Sequence, residues 1–480
     1  MTARAILPNL TLDDPSGVIA SNGVQFRTSD YAVTAPTAAQ LCALAEGRAF
    51  SVAELAVLAR AQHAAKPTLG VGYGVDANAL DQAGWGVVFA AQDTRVAEKQ
   101  HALRRLLAWR KEEAGSLYRE FANATGVQPD ETGRAFLARF GDAEGPVAVE
   151  KVPYYLLLVA TPAEISFAVQ TELSSRHAVG RVDFASLDEL CRYADAIVER
   201  EASDFRHAAN AAFFAPANPG DVSTARSLQH LASPLADSLQ NKRRAWNVIR
   251  QFGAEASKTA LVSLVSDERT PSLLFTASHG ITLEAGDSRQ RGLQGALVTQ
   301  DWAGPQADRQ ELAADAYVAS DDIRSDANLS GMIAVMFACF TGGTPPIDEF
   351  LPLEDSTLRV LTPEPFVAAL PTRLLVGGAG AVVGHVERAW STSFWRPGAG
   401  MQIKAFEELM LKLSDGWRVG AALDVLNVKC NEIANSLANA LRLRKFGKRN
   451  DDEVAELVLA RTDAANYVIV GDPAVRLMPS

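Results

Sequence analysis

The sequence has 480 residues, of which 48% are hydrophobic and 21% charged, and a formal net charge of −11. This length predicts a globular protein with two or three domains or subdomains. The negative charge argues against nucleic acid as the main partner, because phosphate binding needs a basic face. The N-terminus lacks a signal-peptide pattern and no apolar run is long enough to span a membrane, so we expect a cytoplasmic protein without a membrane partner.

The four cysteines are scattered and none forms a Cys-x-x-Cys pair; they are Cys42, Cys191, Cys339 and Cys430. This spacing argues against a zinc ribbon and against a disulfide framework. A reducing compartment is the simpler interpretation, in agreement with a cytoplasmic location.

Residues 1–146 are expected to form a mixed, partly helical N-terminal region. Prolines and glycines interrupt any pattern up to about residue 45, and a serine-capped helix is predicted from residue 51. A short strand is predicted over 84–91, followed by a charged amphipathic helix over 92–118.

Residues 147–250 are expected to form a smaller α/β subdomain. The apolar run over 154–160 predicts a buried strand, and a second extended segment is predicted over 165–170. Ser186 is expected to cap a helix. Residues 202–222 are interpreted as a loop because of their prolines and glycine, and two helices are predicted over 223–239 and 242–252.

Residues 251–480 contain two apolar runs that end in reactive side chains. The run SLLFTA ends in Ser278-His279-Gly280, and the run IAVMFA ends at Cys339, shortly before a glycine pair. Short apolar runs with this punctuation predict buried strands of a parallel sheet, whose carboxyl ends carry the chemistry. A thiol and an imidazole at one edge favour a nucleophilic pair over the alternative of a structural cysteine and an unrelated loop histidine.

The His-Gly block followed by the Ala-Cys block resembles the caspase-like (clan CD) cysteine peptidases. Trp390 and the Gly-Asp-Pro ending at 471–473 are similar to the gingipain-like branch, and the resemblance covers about residues 147–480. It implies a caspase-like three-layer α/β/α sandwich with a mainly parallel sheet. In this division 147–250 is the smaller subdomain and 251–480 is the catalytic domain.

The resemblance also implies a role for each reactive group. Cys339 is expected to attack a peptide carbonyl, and His279 to pass a proton to the leaving amine. The backbone N–H groups of Gly280 and Cys339 are expected to form the oxyanion hole. No acidic third member is identified from the sequence, and no metal or cofactor is required.

Specificity is expected to depend on the pocket for the residue before the scissile bond, called here the specificity pocket. The resemblance places Trp390 at its wall and Ser174 at the position of a selective residue, with Glu172 and Arg176 nearby. An inward Glu172 favours an Arg or Lys substrate residue, whereas Arg176 leaves room for an acidic one. His385, also expected near the substrate, is a rival candidate for the base, with a core or rim histidine hydrogen-bonded to backbone as the favoured alternative.

The sequence therefore predicts a cysteine endopeptidase that acts on a protein or peptide substrate through a thioester. The alternative is a caspase-like pseudoenzyme or scaffold that binds a peptide or protein partner without cleavage. Both Cys339 and His279 are present, which favours the enzyme, since a pseudoenzyme is free to lose either. Whether a regulatory partner exists stays open.

Overall fold

The computed structural model describes residues 21–32, 41–42, 70–142, 144–203, 206–266, 270–305, 310–329, 331–352, 358–396, 400–444 and 451–479. The helix predicted from residue 51 and most of the irregular N-terminus lie outside these ranges.

A ten-stranded sheet forms the centre of the protein. Most of its strands are short apolar runs that are buried on both faces, as expected of a parallel sheet covered by helices. In spatial order the strands are Tyr118–Phe121, Trp85–Val88, Tyr155–Val159, Ala178–Val182, Tyr467–Gly471, Ala381–His385, Ile333–Phe337, Leu273–Ala277, Asn210–Ala215 and Asn247–Phe252.

Nine neighbouring pairs form this sheet, and one of them is antiparallel. The reversal lies between Ala381–His385 and Tyr467–Gly471, and every other pair is parallel. The sheet thus consists of two parallel blocks of five strands that run in opposite directions. The prediction of a mainly parallel sheet is confirmed.

Helices cover both faces of the sheet, which confirms the predicted α/β/α layering. In the strand Trp85–Val88, the side chains of Trp85 and Val87 pack in one apolar cluster, and that of Val88 packs in another. None of the helices in the described ranges combines the length and apolar composition needed to cross a membrane. The α-helices are Leu80–Ala83, Val96–Ala102, Arg104–Ala114, Gly133–Arg139, Phe167–Ser174, Leu187–Glu201, Val222–Ser227, Ser233–Lys242, Lys258–Leu264, Gln290–Leu293, Ala369–Val376, Lys404–Ser414, Val419–Arg444 and Asp451–Ala465.

A second sheet of five short strands lies beside the carboxyl end of Leu273–Ala277. Its spatial order is Tyr317–Val318, Leu297–Val298, Gly280–Thr282, Gly23–Gln25 and Asp30–Tyr31. Three two-stranded pairs complete the described strands: Gly343–Thr344 with Phe366–Val367, Ile347–Pro352 with Leu358–Val360, and Trp395–Arg396 with Gly400–Met401.

Three predicted elements differ from the structure. The segment predicted as extended over 165–170 begins the helix Phe167–Ser174, which Ser166 caps by accepting a hydrogen bond from the Val169 N–H. The second of the two helices, predicted over 242–252, is instead the strand Asn247–Phe252. The loop predicted over 202–222 contains the strand Asn210–Ala215. Short apolar runs do not by themselves distinguish helix from strand, so pairing with distant strands decides these cases.

The three predicted regions all contribute strands to the one central sheet. Residues 147–250 do not pack as a unit against its edge: Tyr155–Val159 and Ala178–Val182 lie in one parallel block, and Asn210–Ala215 and Asn247–Phe252 lie in the other. A change of composition near residue 146 carries no information on which strands pair. The division into three regions stays a prediction about folding units.

A buried charge network joins the end of the Tyr467–Gly471 strand to the first parallel block. Asp472 accepts hydrogen bonds from the indole N–H of Trp85 at 3.0 Å and from Nε of Arg110 at 2.8 Å. The Arg110 guanidinium is fully buried and also pairs with Glu201 and Glu113. Removing one member of such a network leaves buried charge without compensation, which destabilises the fold more than the pair stabilises it.

We expect Arg110→Ala to lower the free energy of unfolding by about 3–5 kcal/mol, the cost of breaking a buried ion pair from one side. Arg105→Ala on the same helix is the matched control, because Arg105 is exposed and pairs with Asp195 and Glu199 at the surface. Its effect should be much smaller. Urea unfolding of both variants measures the difference, and equal losses would contradict the role given to the buried network.

Candidate active site

Cys339 lies two residues beyond the strand Ile333–Phe337, with its side chain fully buried. Its Sγ accepts a hydrogen bond from the backbone N–H of Ala389 at 3.3 Å and lies 3.5 Å from Oγ of Ser21. The thiol is thus surrounded by two segments that are distant in the sequence. Burial raises the pKa of Cys339 to about 12, although the hydrogen bonds from Ser21 and Ala389 and the charge of Arg388 oppose this shift.

His279 lies two residues beyond the neighbouring strand Leu273–Ala277. Ala277 is paired with Phe337 in the parallel register, so His279 and Cys339 lie two residues beyond adjacent strand ends, at the same edge of the sheet. Nε2 of His279 lies 2.8 Å from Oδ2 of Asp221. Nδ1 is buried and has no hydrogen-bond partner among the described residues. The carboxylate therefore favours the tautomer with the proton on Nε2, which leaves Nδ1 able to accept a proton.

Asp221 is a member of the site that the sequence did not reveal. It is the N-cap residue of the helix Val222–Ser227 and accepts hydrogen bonds from the hydroxyls of Tyr31 and Thr224, each at 2.5 Å. Burial alone raises its pKa, but the charge of His279 and the hydrogen bonds from His279, Thr224 and Tyr31 outweigh burial and lower it to about 2. The carboxylate thus stays ionised beside the imidazole.

A sequence signal for Asp221 exists in the segment NAAFFAPANPGD. Its apolar run forms the strand Asn210–Ala215, which pairs in parallel with Leu273–Ala277. Asp221 follows at the carboxyl end of that strand, at the same edge as His279. The sequence predicts a loop over 202–222, so it does not identify this third strand end.

The backbone of Gly280 approaches that of Cys339 closely. A Cβ atom at Gly280 would lie 1.8 Å from the Cys339 carbonyl oxygen, so no side chain fits here. The N–H groups of Gly280 and Cys339 both donate to the carbonyl oxygen of Asn22, at 2.8 Å and 3.2 Å. Two backbone donors that converge on one carbonyl oxygen have the arrangement of an oxyanion hole.

The segment that supplies this carbonyl runs across the thiol. The Asn22 N–H donates to the Ala389 carbonyl oxygen at 2.9 Å, and Ser21 forms an antiparallel bridge with Trp390. Gly23–Gln25 then pairs in parallel with Gly280–Thr282. Residues 21–25 therefore cover Cys339 along an extended path.

Trp390 and His385 lie near this path, but their side chains contact other groups. The Trp390 indole is buried against Phe350 at a ring-centroid distance of 5.8 Å, while its backbone bridges Ser21. His385 ends its strand, with Nε2 at 2.9 Å from the Asp463 carbonyl oxygen and its ring against Tyr467. For His385 this is the alternative described above, a core histidine bonded to backbone.

Glu172, Ser174 and Arg176 lie at and beyond the end of the helix Phe167–Ser174. Oε2 of Glu172 accepts from the Arg134 N–H at 3.3 Å, and Arg176 forms an ion pair with Asp142 at 2.9 Å. Ser174 is half-buried at the last position of the helix. Within the part of the chain that the structure describes, no hydrogen bond or ion pair connects any of the three to Cys339 or His279. Their role in specificity stays a prediction.

The groups around Cys339 are those that acyl transfer needs: a thiol, an imidazole oriented by a carboxylate, and two converging N–H donors. Across the described ranges, no group of three or more His, Cys, Asp or Glu side chains is placed to hold a metal ion.

Comparison with solved structures finds similar folds among cysteine peptidases. The Arg-specific cysteine proteinase gingipain R (RgpB) shares 12% identity, with a TM-score of 0.47 over 83% of this chain and 78% of that one. The complex of Porphyromonas gingivalis RgpB pro- and mature domains shares 13% identity, with a TM-score of 0.44 over 82% of this chain and 80% of that one. The Saccharomyces cerevisiae separase–securin complex shares 11% identity, with a TM-score of 0.32 over 66% of this chain and 16% of that one. These similarities concern the fold alone.

No family model matches the sequence, and no curated protein matches it.

We expect the Asp221–His279 pair to produce a measurable acid dependence of stability. Because the pKa of Asp221 in the folded protein, about 2, is below its ordinary value of 3.8, its contribution is present above about pH 4 and is lost between about pH 4 and pH 2. Between pH 5 and pH 3 the free energy of unfolding of the wild type should therefore fall more steeply than that of Asp221→Asn, by about 1–2 kcal/mol.

Urea unfolding at pH 5, 4 and 3 measures this slope. Asp237→Asn is the control, because that carboxylate is exposed and its ion pair with Arg250 is at the surface. The control should keep the slope of the wild type. Parallel slopes for the wild type and Asp221→Asn would show that the carboxylate is not stabilised in its ionised form.

Proposed function

We propose that this chain is a cysteine endopeptidase that cleaves peptide bonds through a thioester on Cys339. The observation that carries the proposal is the convergence of the Gly280 and Cys339 N–H groups on one peptide carbonyl oxygen, beside the thiol. A peptide carbonyl held in this way is polarised, and the charge that develops on its oxygen during attack is stabilised by both donors.

The proton transfers follow from the partners of His279. Nδ1 accepts the thiol proton when Sγ attacks the carbonyl carbon, and the imidazolium that forms is stabilised by Asp221. The imidazolium then gives its proton to the amine as the C–N bond breaks and the thioester forms. Water adds to the thioester with His279 as the base, which releases a carboxylate and regenerates the thiol.

The elevated pKa of Cys339 is compatible with this sequence because the burial that causes it comes in part from residues 21–25. In the covered site the thiol is neutral at pH 7. Transfer of its proton to His279 accompanies the attack, so a standing thiolate is not needed.

We expect Cys339→Ala to reduce peptide-bond cleavage by several orders of magnitude, since the nucleophile is removed while the small side chain preserves the packing. Cleavage is measured with a peptide library and on the chain itself, after incubation of the full-length protein. Cys191→Ala is the matched control, because Cys191 is a half-buried cysteine on the helix Leu187–Glu201 and should be dispensable.

A peptidyl electrophile separates the peptidase from the scaffold alternative. The wild type should form an adduct at Cys339 after incubation, and His279→Ala should form it far more slowly. A wild type that neither cleaves any peptide bond nor reacts with the electrophile supports a peptide-binding scaffold. Inactivation by Cys191→Ala instead of Cys339→Ala would show that Cys339 is not the nucleophile.

A further inference from the structure

The chain's own residue Asn22 lies where a substrate residue would lie before its scissile bond. Its carbonyl oxygen is the one held by the Gly280 and Cys339 N–H groups. The following residue, Gly23, lies directly against the nucleophile: a Cβ placed on it would be 3.0 Å from Sγ of Cys339. If the proposed function holds, the peptide bond beside the thiol is therefore Asn22–Gly23.

The backbone on both sides of this bond is held as a peptide substrate would be. Before the bond, Ser21 and Asn22 run antiparallel to Ala389 and Trp390. After it, Gly23–Gln25 adds as a strand to Gly280–Thr282. An extended peptide bound through main-chain hydrogen bonds at a strand edge is a common mode of peptide recognition, in which side-chain pockets supply the specificity.

The side chain of Asn22 fills a closed polar pocket. Its Nδ2 donates to Oγ of Ser227 at 3.2 Å and to the carbonyl oxygen of Ser278 at 3.1 Å. Its Oδ1 accepts from Oγ of Ser223 at 3.2 Å. All four residues are buried. The Ser223 hydroxyl has a single hydrogen and also lies 3.0 Å from the carbonyl oxygen of Ser21, so Oδ1 shares this donor. Every polar atom of the amide head thus lies within hydrogen-bond distance of a group inside the protein.

The polarity of the pocket distinguishes an amide from a carboxylate. The hydroxyl of Ser227 donates to the carbonyl oxygen of Ser223 at 2.6 Å, so its oxygen faces Asn22 as an acceptor. The Ser278 carbonyl oxygen is an acceptor as well. Two acceptors therefore face one end of the head group, where Asn has an NH₂ donor and Asp has only another acceptor. A buried pocket that leaves polar groups unpaired rejects the wrong side chain strongly.

The amide head of Asn22 already contacts the groups around it, which disfavours longer side chains. Ser223 and Ser227 are one turn apart on the helix Val222–Ser227, and Ser278 precedes His279, so the walls are fixed by the same elements that position the base. Gln adds one methylene and Arg adds a long charged stem to a site whose described walls contain no carboxylate directed at Asn22.

We propose that the peptidase is specific for Asn before the scissile bond and that it processes its own chain between Asn22 and Gly23. Ser223, Ser227 and the Ser278 carbonyl oxygen are the specificity-determining groups. The uncut segment 21–25 keeps the enzyme latent by occupying its active site.

The self-cleavage is a hydrolysis with balanced bonds and protons. Sγ of Cys339 bonds to the carbonyl carbon of Asn22 while His279 takes the thiol proton, and the C–N bond to Gly23 breaks as His279 protonates the Gly23 nitrogen. Water then cleaves the thioester, which leaves a carboxylate on Asn22, an amine on Gly23 and the thiol restored. No other reactant is consumed.

The test begins with incubation of the purified full-length chain at pH 7, followed by intact-mass measurement and N-terminal sequencing. The wild type should acquire a new N-terminus at Gly23, and Cys339→Ala should stay intact. Asn22→Asp and Asn22→Gln should each slow processing by about 100-fold or more. Thr28→Ala, in the turn after the same strand, is the matched control and should be processed at the rate of the wild type.

A second measurement uses peptides added to the processed wild type. The peptides differ only in the residue before the scissile bond, which is Asn, Asp or Arg. The peptide with Asn should be cleaved faster than the other two. Ser227→Ala should reduce the preference for Asn. It should have a smaller effect on the labelling of Cys339 by an electrophile that has no side chain at the position before the scissile bond. Circular dichroism of each variant shows whether it is folded.

The outcomes separate the two proposals. Cleavage that depends on Cys339 but occurs at another bond, or with a preference for Arg, leaves the peptidase standing and overturns the assignment of Asn22. A wild type that stays uncut overturns self-processing even if it cleaves added peptides. Absence of cleavage of any bond, together with absence of labelling by the electrophile, overturns the proposed function itself.

Discussion

The candidate site depends on the close approach of two backbone segments, Gly280 and Cys339. Their strands are hydrogen-bonded neighbours, and beyond the last paired residues the two chains pass so closely that a single methyl group at position 280 would overlap the Cys339 carbonyl oxygen. This approach directs both N–H groups to one point. The positions of the thiol, the imidazole and the bound carbonyl all follow from it, because each is within two residues of the contact or bonded to it.

The sequence was informative where chemistry and burial coincide in short stretches. The buried strands before Cys339 and His279 could be located because each is an apolar run that ends abruptly at a reactive residue beside glycine. The catalytic roles of these residues remain predictions. Asp221 follows an apolar run of the same kind, but its contact with His279, 58 positions away in the chain, has no signal in the sequence. Asn22 could not be found in this way, because its contacts are with residues more than 200 positions away. Propensity carries no information on such contacts.

The residues expected to line the specificity pocket show the difference between a resemblance in fold and a resemblance in detail, and their role stays a prediction. The match to the Gly-Arg step directed attention to Glu172, Ser174 and Arg176. In the structure the groups that contact the side chain of Asn22 come from the helix Val222–Ser227 and from Ser278. That helix follows the strand Asn210–Ala215, whose sequence had been interpreted as a loop. One unrecognised strand thus concealed both the carboxylate partner of His279 and the polar residues near the thiol.

The reversal of strand direction at the middle of the sheet has a consequence for synthesis on the ribosome. The strand Tyr467–Gly471 belongs to the first parallel block and pairs with the second, yet it follows every other strand of the sheet in the sequence. While the chain is being made, the central strands Ala178–Val182 and Ala381–His385 each expose an unpaired edge until residue 471 has emerged. Exposed edges of buried, apolar strands are sites of aggregation. A messenger truncated before this codon should therefore yield insoluble material, and the nascent chain should depend on chaperones until its joining strand is in place.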